Sequence, residues 1–247
     1  MRAKTILSHQ SHRPWPLPTT PWMIEQSWLD VLFAHYALPL DAVRARVPAA
    51  LELDTYDGRA WVSVVAFRID PFRTRGVPYE TQFPELNLRT YVQVDGKPGV
   101  YFFSLDASNR AAVLGARMLF RLNYYHAAIS ITENGMIDFT SRRLDLPRAE
   151  FNARYRAAGD TLTSITGSLD HWLVERYCLY AIRGRRRVFR VDIHHLPWVL
   201  QPSEAELSPA SLFAAAGLPA AAGPPLLHFA ARQDTLTWGP TPIARPL

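Results

Sequence analysis

Five polar side chains alternate along one stretch of the chain, where they could form a binding or catalytic surface. In an extended strand successive side chains point to opposite faces, so Glu85, Asn87, Arg89, Tyr91 and Gln93 share one face. An acid, two amides, a guanidinium and a phenol can bind an anion and transfer a proton. The same residues also suit a solvent-facing strand. The neighbouring strand must therefore distinguish the two interpretations.

The segment that follows predicts a hairpin. Asp95-Gly96-Lys97-Pro98 is a turn signal, and the next eight residues are typical of a returning strand. We expect all four turn residues to lie outside the ladder, which places Asn87 opposite Asp106 and Arg89 opposite Ser104. A face that mixes these groups with apolar residues is typical of a pocket wall.

Nearly the whole chain resembles the YqjF-like family of uncharacterised bacterial proteins. The resemblance rests on five stretches: Trp28 to Tyr36, Leu51 to Phe67, Phe83 to Asp106, Glu175-Arg176-Tyr177 and Ile193-His194-His195. That family has no settled activity, so this resemblance does not name a reaction.

Residues 31–127 more distantly resemble acetoacetate decarboxylase. Asp41 to Asp54 is similar to a helix-and-strand segment of that enzyme, and Gly99-Val100-Tyr101 with Leu105-Asp106 is similar to its second strand. The resemblance implies a cone-like barrel and matches Glu85 to the active-site glutamate of the decarboxylase. The substrate-binding arginine of that enzyme falls at Ala37.

The lysine that defines the decarboxylase reaction is missing. In that enzyme a Gly-Arg pair precedes Tyr-Pro-Lys-Lys, and the first of those lysines forms a Schiff base. Ala116-Arg117 matches the Gly-Arg pair, and Tyr124 and Tyr125 fall at the two lysines. A phenol cannot form an imine. The two lysines of this chain, Lys4 and Lys97, lie in the N-terminal tail and the hairpin turn, where a desolvated nucleophile is not expected.

The candidate residues divide by role. We expect Glu85 to act as the acid or base and Tyr124 to hydrogen-bond a carbonyl or donate a proton. Arg89 or Arg117 would pair with an anion through its planar guanidinium. Asn87, Tyr91 and Tyr125 complete the polar part of the expected substrate-binding site.

Two histidines are further candidates for the substrate site. His35 and His126 lie at the ends of segments matched to the decarboxylase pocket, and histidine is the commonest acid or base near neutral pH. A lone histidine in a strand is also an ordinary structural residue. His194 and His195 are adjacent on a strand and point to opposite faces, so they do not predict a shared metal ion. We expect no metal and no cofactor.

Length and composition favour a single domain over residues 1–247, which the resemblance implies is acetoacetate decarboxylase-like, with residues 1–22 expected as a loosely ordered N-terminal extension. The chain is 48% hydrophobic and 20% charged, which suffices for a large core. No apolar run approaches the roughly 20 residues of a membrane helix, and no secretion signal begins the chain. We therefore expect a cytoplasmic protein that does not bind membranes, and the sequence is compatible with a homo-oligomer.

The net charge of +5 raises the question of nucleic-acid binding. The densest basic run, residues 183–187, lies between two predicted strands, where it is typical of a solvated hairpin tip. The chain has no helix-turn-helix, zinc-finger or RNA-stacking motif, so we expect no nucleic-acid partner.

The single cysteine, Cys178, lies in an apolar strand and is interpreted as a core residue.

The order of predicted elements favours an α+β fold that is mostly antiparallel β and closes on itself, with a few short helices. Ser108 is the predicted N-cap of a helix ending near Met118. Residues 70–84 contain three prolines and predict a long loop that could act as a lid.

Together these features predict a barrel that binds a small organic acid or carbonyl compound. As an enzyme it would catalyse enolisation, hydration, dehydration or lyase cleavage without an imine. The alternative is a non-catalytic ligand-binding or sensing module that kept the pocket after losing the lysine. Fold resemblance does not choose between the two.

Overall fold

The computed structural model describes residues 2–163, 165–184 and 187–243. Within these residues, thirteen strands form one sheet and five short helices lie around it. The helices are α1 (Arg2–Ser8), α2 (Leu40–Arg44), α3 (Arg110–Leu119), α4 (Leu169–Val174) and α5 (Ala210–Ala215). The strands are β1 (Ile24–Leu38), β2 (Glu52–Leu53), β3 (Ala60–Thr74), β4 (Glu80–Val94), β5 (Lys97–Ala107), β6 (Tyr124–Glu133), β7 (Ile137–Arg143), β8 (Glu150–Ala157), β9 (Cys178–Arg183), β10 (Arg187–His195), β11 (Gln201–Leu207), β12 (Leu226–Thr237) and β13 (Thr241–Ile243).

The sheet closes on itself. Its order is β13-β10-β9-β5-β6-β7-β8-β11-β12-β1-β3-β4-β2, and two further pairings, β5 with β4 and β10 with β12, join strands that are distant in this order. These pairings close a ring through β5, β4, β3, β1, β12, β10 and β9, although the ring is not a regular barrel. β5 pairs in parallel with β6 and β9, and the other named pairs are antiparallel. The predicted mostly antiparallel, closed architecture with short helices is confirmed.

The two faces of the shared strands pack two separate cores. Alternate residues of β1, β3 and β4 point to opposite sides, because side chains in a strand alternate. One side packs a cluster that includes Phe33, Val65 and Phe102 inside the ring. The other packs a cluster that includes Leu32, Val64 and Leu88 against β7, β8 and α5.

The predicted loop over residues 70–84 is wrong. β3 continues to Thr74 and β4 begins at Glu80, so the two strands form a long hairpin arm. A register shift between Ile69 and Phe72 lets Pro71 enter the strand without a regular ladder position. These prolines are therefore compatible with strand structure. The β3–β4 hairpin arm, not a loop, leads into Glu85.

The predicted register of the β4–β5 hairpin is also wrong. Val94 pairs with Lys97 across the two-residue turn Asp95-Gly96, and both turn residues have positive φ, 51° and 72°. This is the conformation of a type I′ turn, which favours two-residue hairpins. Arg89 therefore lies opposite Phe102 instead of Ser104, after a register shift at Leu88.

Asp106 consequently lies away from the polar row of β4. It pairs with Leu86 instead of Asn87, which puts its carboxylate on the other face of the sheet. There Arg143 Nε donates to Asp106 Oδ1 at 2.9 Å, and both side chains are almost fully buried. The polar row and Asp106 thus belong to different cores.

Several side chains of residues 3–22 pack against the sheet, which differs from the expected loosely ordered extension. Ile6 of α1 is buried with Leu236 and Trp238. Arg13 Nη1 donates to the Ile193 carbonyl at 2.5 Å, and His12 shares a hydrogen bond of 2.8 Å with the His195 carbonyl.

Two residues of the basic run, Arg185 and Arg186, lie outside the described residues. No helix in the described part of the chain is long and apolar enough to cross a membrane.

Candidate functional site

A cavity of about 440 Å³ lies inside the ring of strands. All seven strands of the ring contribute to its wall, and α3 covers one side. Alternate residues of β4 run along it: Thr81, Phe83, Glu85, Asn87 and Arg89. The wall is otherwise dominated by aromatic and aliphatic side chains, among them Trp28, Phe33, Phe67, Phe102 and Trp198. An apolar cavity with a few convergent polar groups is the usual form of a small-molecule site.

Glu85 and Tyr124 form a hydrogen-bonded pair in this cavity. Tyr124 Oη donates to Glu85 Oε2 at 2.8 Å. The Asn87 amide, turned with its nitrogen toward the carboxylate, donates to Glu85 Oε1 at 3.1 Å. β4 supplies Glu85 and Asn87 from one face, and the first residue of β6 supplies Tyr124. Each carboxylate oxygen of Glu85 therefore has a fixed donor.

Burial sets the protonation of this pair. Glu85 is 4% exposed, and desolvation raises the pKa of its carboxyl to about 7, although hydrogen bonds from Tyr124 and Asn87 oppose the rise and the charge of Asp106 adds to it. Burial also raises the pKa of Tyr124 well above its usual value, and the nearby Glu85 carboxylate acts in the same direction. Near neutral pH the phenol stays protonated, while Glu85 is available in both its acid and its base form.

Arg89 lies in the same wall, and no carboxylate of the described residues pairs with it. Its Nη2 donates to the Leu173 carbonyl at 3.3 Å, and its guanidinium stands 5.6 Å from the ring centroid of Phe33 and 5.9 Å from that of Tyr91. Nε is buried and has no hydrogen-bond partner among the described residues. A buried guanidinium without an anion is unusual, because desolvating a charge is costly.

A second arginine, Arg176, also lines the cavity and was not among the predicted site residues. Its Nη1 donates to Asp54 Oδ2 at 2.5 Å and its Nε to the Trp172 carbonyl at 2.7 Å. Nη2 has no partner in the described part of the chain. Burial lowers the pKa of Arg176, and Asp54 opposes that shift. The sequence signal was present, since Arg176 lies in one of the stretches that resemble the YqjF-like family.

Trp198 and His195 also line the cavity. Trp198 Nε1 is a third buried donor without a partner among the residues described here. His195 is held by the Leu196 and Arg176 carbonyls at 2.7 and 3.4 Å, and burial lowers its pKa. Arg89, Arg176 and Trp198 thus all line one cavity, and each has a buried N–H group without a partner among the described residues.

Two predicted substrate-binding residues, Tyr91 and His35, are buried beside the cavity instead of lining it. Ser63 Oγ lies 2.6 Å from Tyr91 Oη and 2.6 Å from His35 Nδ1, which joins the three side chains in one network. The pKa of His35 lies well below its usual value because the side chain is buried and because His228 and Arg89 disfavour a further positive charge. Its imidazole is therefore neutral. The structure therefore places both residues in a supporting layer behind Arg89.

Three other predicted site residues, Arg117, Tyr125 and His126, lie outside the cavity. Arg117 faces solvent, where its Nη2 donates to Asp145 Oδ2 at 2.5 Å and its Nε to the Tyr124 carbonyl at 2.7 Å. Tyr125 points away from the cavity because it alternates with Tyr124, and its ring stacks on the guanidinium of Arg143 at 4.1 Å. His126 lies farther along β6 and lines a shallow surface groove.

The lysines do not reach the cavity. Lys97 begins β5 instead of lying in the turn, and it is buried with its Nζ 2.8 Å from Asp192 Oδ1. Lys4 lies on α1. Cys178 is fully buried, and desolvation raises the pKa of its thiol to about 11. The described residues contain no group of three or more His, Cys, Asp or Glu side chains that could hold a metal ion.

Known proteins share both the sequence and the fold. The profile of DUF2071, described as an uncharacterized conserved protein, matches residues 25–234. The uncharacterized protein YqjF of Bacillus subtilis is 47% identical over 226 residues, covering 90% of this chain and 93% of YqjF.

Solved structures of similar fold include acetoacetate decarboxylase from Legionella pneumophila, with a TM-score of 0.63 and 15% identity over 97% of this chain and 95% of that one. The enduracididine biosynthesis enzyme MppR complexed with pyruvate has a TM-score of 0.62 and 12% identity over 95% of each chain. These values confirm the predicted decarboxylase-like fold. The chain therefore belongs to the DUF2071 family of uncharacterized conserved proteins, with the sequence of a YqjF relative and the fold of acetoacetate decarboxylase.

Proposed function

We propose that the cavity binds a small organic acid, with its carboxylate at Arg89 and Arg176 and its reactive part at Glu85 and Tyr124. The observation that carries this proposal is the buried guanidinium of Arg89, which has no carboxylate partner among the described residues and an unpaired Nε. A carboxylate ligand would supply the missing charge and acceptors. Arginine suits this role because its planar fork binds carboxylates through two parallel hydrogen bonds.

Arg143, another buried arginine, shows what a structural ion pair looks like in this protein. Arg143 and Asp106 are 2% and 1% exposed at their side chains and form an ion pair at 2.9 Å. Arg89 is comparably enclosed, yet lines a cavity. The difference supports a role for Arg89 in binding rather than in holding strands together.

Glu85 and Tyr124 supply acid–base groups for a reaction that needs no imine. An ionised Glu85 would take a proton from a carbon next to a carbonyl, while the Tyr124 hydroxyl would turn from Glu85 to the carbonyl oxygen. A carboxyl whose pKa lies near the working pH is well suited to such transfer. Enolisation and the dehydration of a β-hydroxy carbonyl acid begin with this step, hydration follows the same path in reverse, and in lyase cleavage Glu85 would take the proton from a hydroxyl group instead. The pyruvate complex of MppR, a protein of the same fold, supports a carbonyl acid as ligand.

Proton exchange tests this function without a known product. The protein is incubated in D₂O with a panel of 2-oxo and 3-oxo acids, and deuterium incorporation is followed by NMR. We expect exchange of at least one acid, and a loss of about 10² to 10⁴ in its rate in Glu85→Gln with ligand affinity little changed. Glu204→Gln, at an exposed ion pair on β11, is the control. Exchange at the wild-type rate in Glu85→Gln would remove Glu85 from the mechanism.

The alternative is a module that binds the acid without transforming it. One observation favours it: none of the cavity side chains that the structure describes is a lysine. In that case acids would bind in an Arg89-dependent manner, and neither the wild type nor Glu85→Gln would catalyse exchange.

A further inference from the structure

The cavity is larger than a small keto acid requires. Water takes a share of about 30 Å³ per molecule in the liquid, so an acid of six or seven non-hydrogen atoms would fill about half of the 440 Å³ or less. The remaining volume is walled by apolar side chains and would otherwise hold water against them, which is unfavourable. The ligand must therefore contribute apolar atoms as well as a carboxylate.

The cavity is also elongated and graded in polarity. Thr81 to Arg89 of β4 line it at every second position, which corresponds to about 27 Å of strand. Along β4, Glu85 lies between the arm and Arg89, and Arg176 lines the same cavity. At the arm the lining is mostly apolar, with Phe72, Val77, Tyr79 and Phe83 beside Thr74 and Thr81. The charged groups of the cavity are thus buried, whereas Val77 and Tyr79 of the arm are exposed apolar residues.

The outer end opens between the β3–β4 arm and α3. Val77, Tyr79 and Leu119 line the cavity and yet are 51%, 71% and 59% exposed. Apart from Leu119, the α3 residues that line the cavity are small: Ala111, Ala112, Gly115 and Ala116. A β-carbon added at Gly115 would meet no atom within 4 Å, so space remains beside the helix.

We propose, resting on the function above, that the ligand is a carboxylic acid with an apolar tail of about six or more carbons. Its carboxylate lies at Arg89 and Arg176, the carbons that react pass Glu85 and Tyr124, and the tail runs between α3 and the arm toward the opening. Medium-chain acyl and aryl-alkyl acids fit this class, whereas pyruvate and acetate fill only the inner part of the cavity.

Calorimetric titration with acetate, butanoate, hexanoate, octanoate and decanoate tests the tail. Affinity of the wild type should rise about fourfold per added methylene until the tail reaches the opening. Gly115→Leu should fill the space beside α3 and weaken decanoate binding by about tenfold or more, with butanoate little changed. Leucine is favoured over glycine in a helix, so this variant should remain folded, which a thermal melt checks. Met118→Leu, an exposed site on α3 outside the cavity, is the control.

The possible results of this titration distinguish the proposed apolar tail from the proposed binding of the carboxylate. If short and long acids bind with equal affinity and Arg89→Met weakens all of them, the proposed apolar tail is wrong and the proposed function still holds. Chain-length dependence unchanged in Gly115→Leu would also overturn the tail's position. No binding of any acid would contradict the proposed function itself.

Discussion

Glu85 combines three properties that seldom coincide in a structural carboxyl: it is buried, it has a donor on each oxygen, and its pKa lies near 7. The alternation rule placed Glu85, Asn87 and Arg89 on one face, and the structure brings these three to the cavity. Their protonation and pairing could not be predicted, because desolvation depends on residues from seven strands. The role of each in binding or catalysis stays a prediction.

Stability should depend on pH through Glu85. Its pKa of about 7 in the folded protein lies above the ordinary value of 4.5, so its contribution to stability is fully present below about pH 4.5 and is lost as the pH rises through about 7. This pKa difference corresponds to a loss on the order of 3 kcal/mol. Glutamine does not titrate, so thermal melts should show Glu85→Gln gaining on the wild type across this range. A constant difference between the two proteins from pH 4.5 to 7.5 would contradict the raised pKa, and Glu204→Gln should show no such gain.

At the scale of elements, local sequence signals predicted most strands but misjudged two connections. The proline-containing stretch of the arm was interpreted as a loop, because a bulge that accommodates Pro71 is set by pairing with β4 and has no local signal. The Asp95-Gly96 turn did carry its signal, and the error lay in counting Lys97 and Pro98 as turn residues. The helix over the cavity was predicted, with its cap displaced by one residue.

That displaced cap gives a prediction for α3. Asn109, not Ser108, is the N-cap, and its side chain accepts a hydrogen bond from the Ala112 N–H at 3.1 Å. Asn109→Ala should therefore lower the free energy of unfolding by about 1 kcal/mol, and Ser108→Ala should have a smaller effect. Urea denaturation of both variants measures the difference. A larger loss in Ser108→Ala would place the start of the helix at Ser108.

At the scale of the whole molecule, the closed antiparallel architecture followed from strand order and family resemblance, whereas the composition of the cavity did not. Arg176 reaches the site from the loop before β9, and Trp198 from the segment after β10, more than eighty residues from β4. Nothing local in either segment indicates that they meet Arg89. The same closure excludes Arg117 and Tyr125, which are close to Tyr124 in sequence but lie outside the ring.

The most direct test of the account is the response of Arg89→Met to carboxylic acids. If Arg89 anchors a ligand, its removal relieves an unpaired buried charge, so the variant should melt at or above the wild-type temperature. Wild type should be stabilised by about 2.7 kcal/mol at an acid concentration one hundred times Kd, and Arg89→Met should show no such shift. Arg156→Met, at the exposed ion pair with Glu204, should respond to acids as the wild type does.

Thermal melts of these three proteins across a panel of acids decide the question. The account predicts a folded Arg89→Met variant that has lost the acid-induced shift. A loss of roughly 3 to 5 kcal/mol in Arg89→Met, with no acid ever stabilising the wild type, would contradict it and make Arg89 a structural residue.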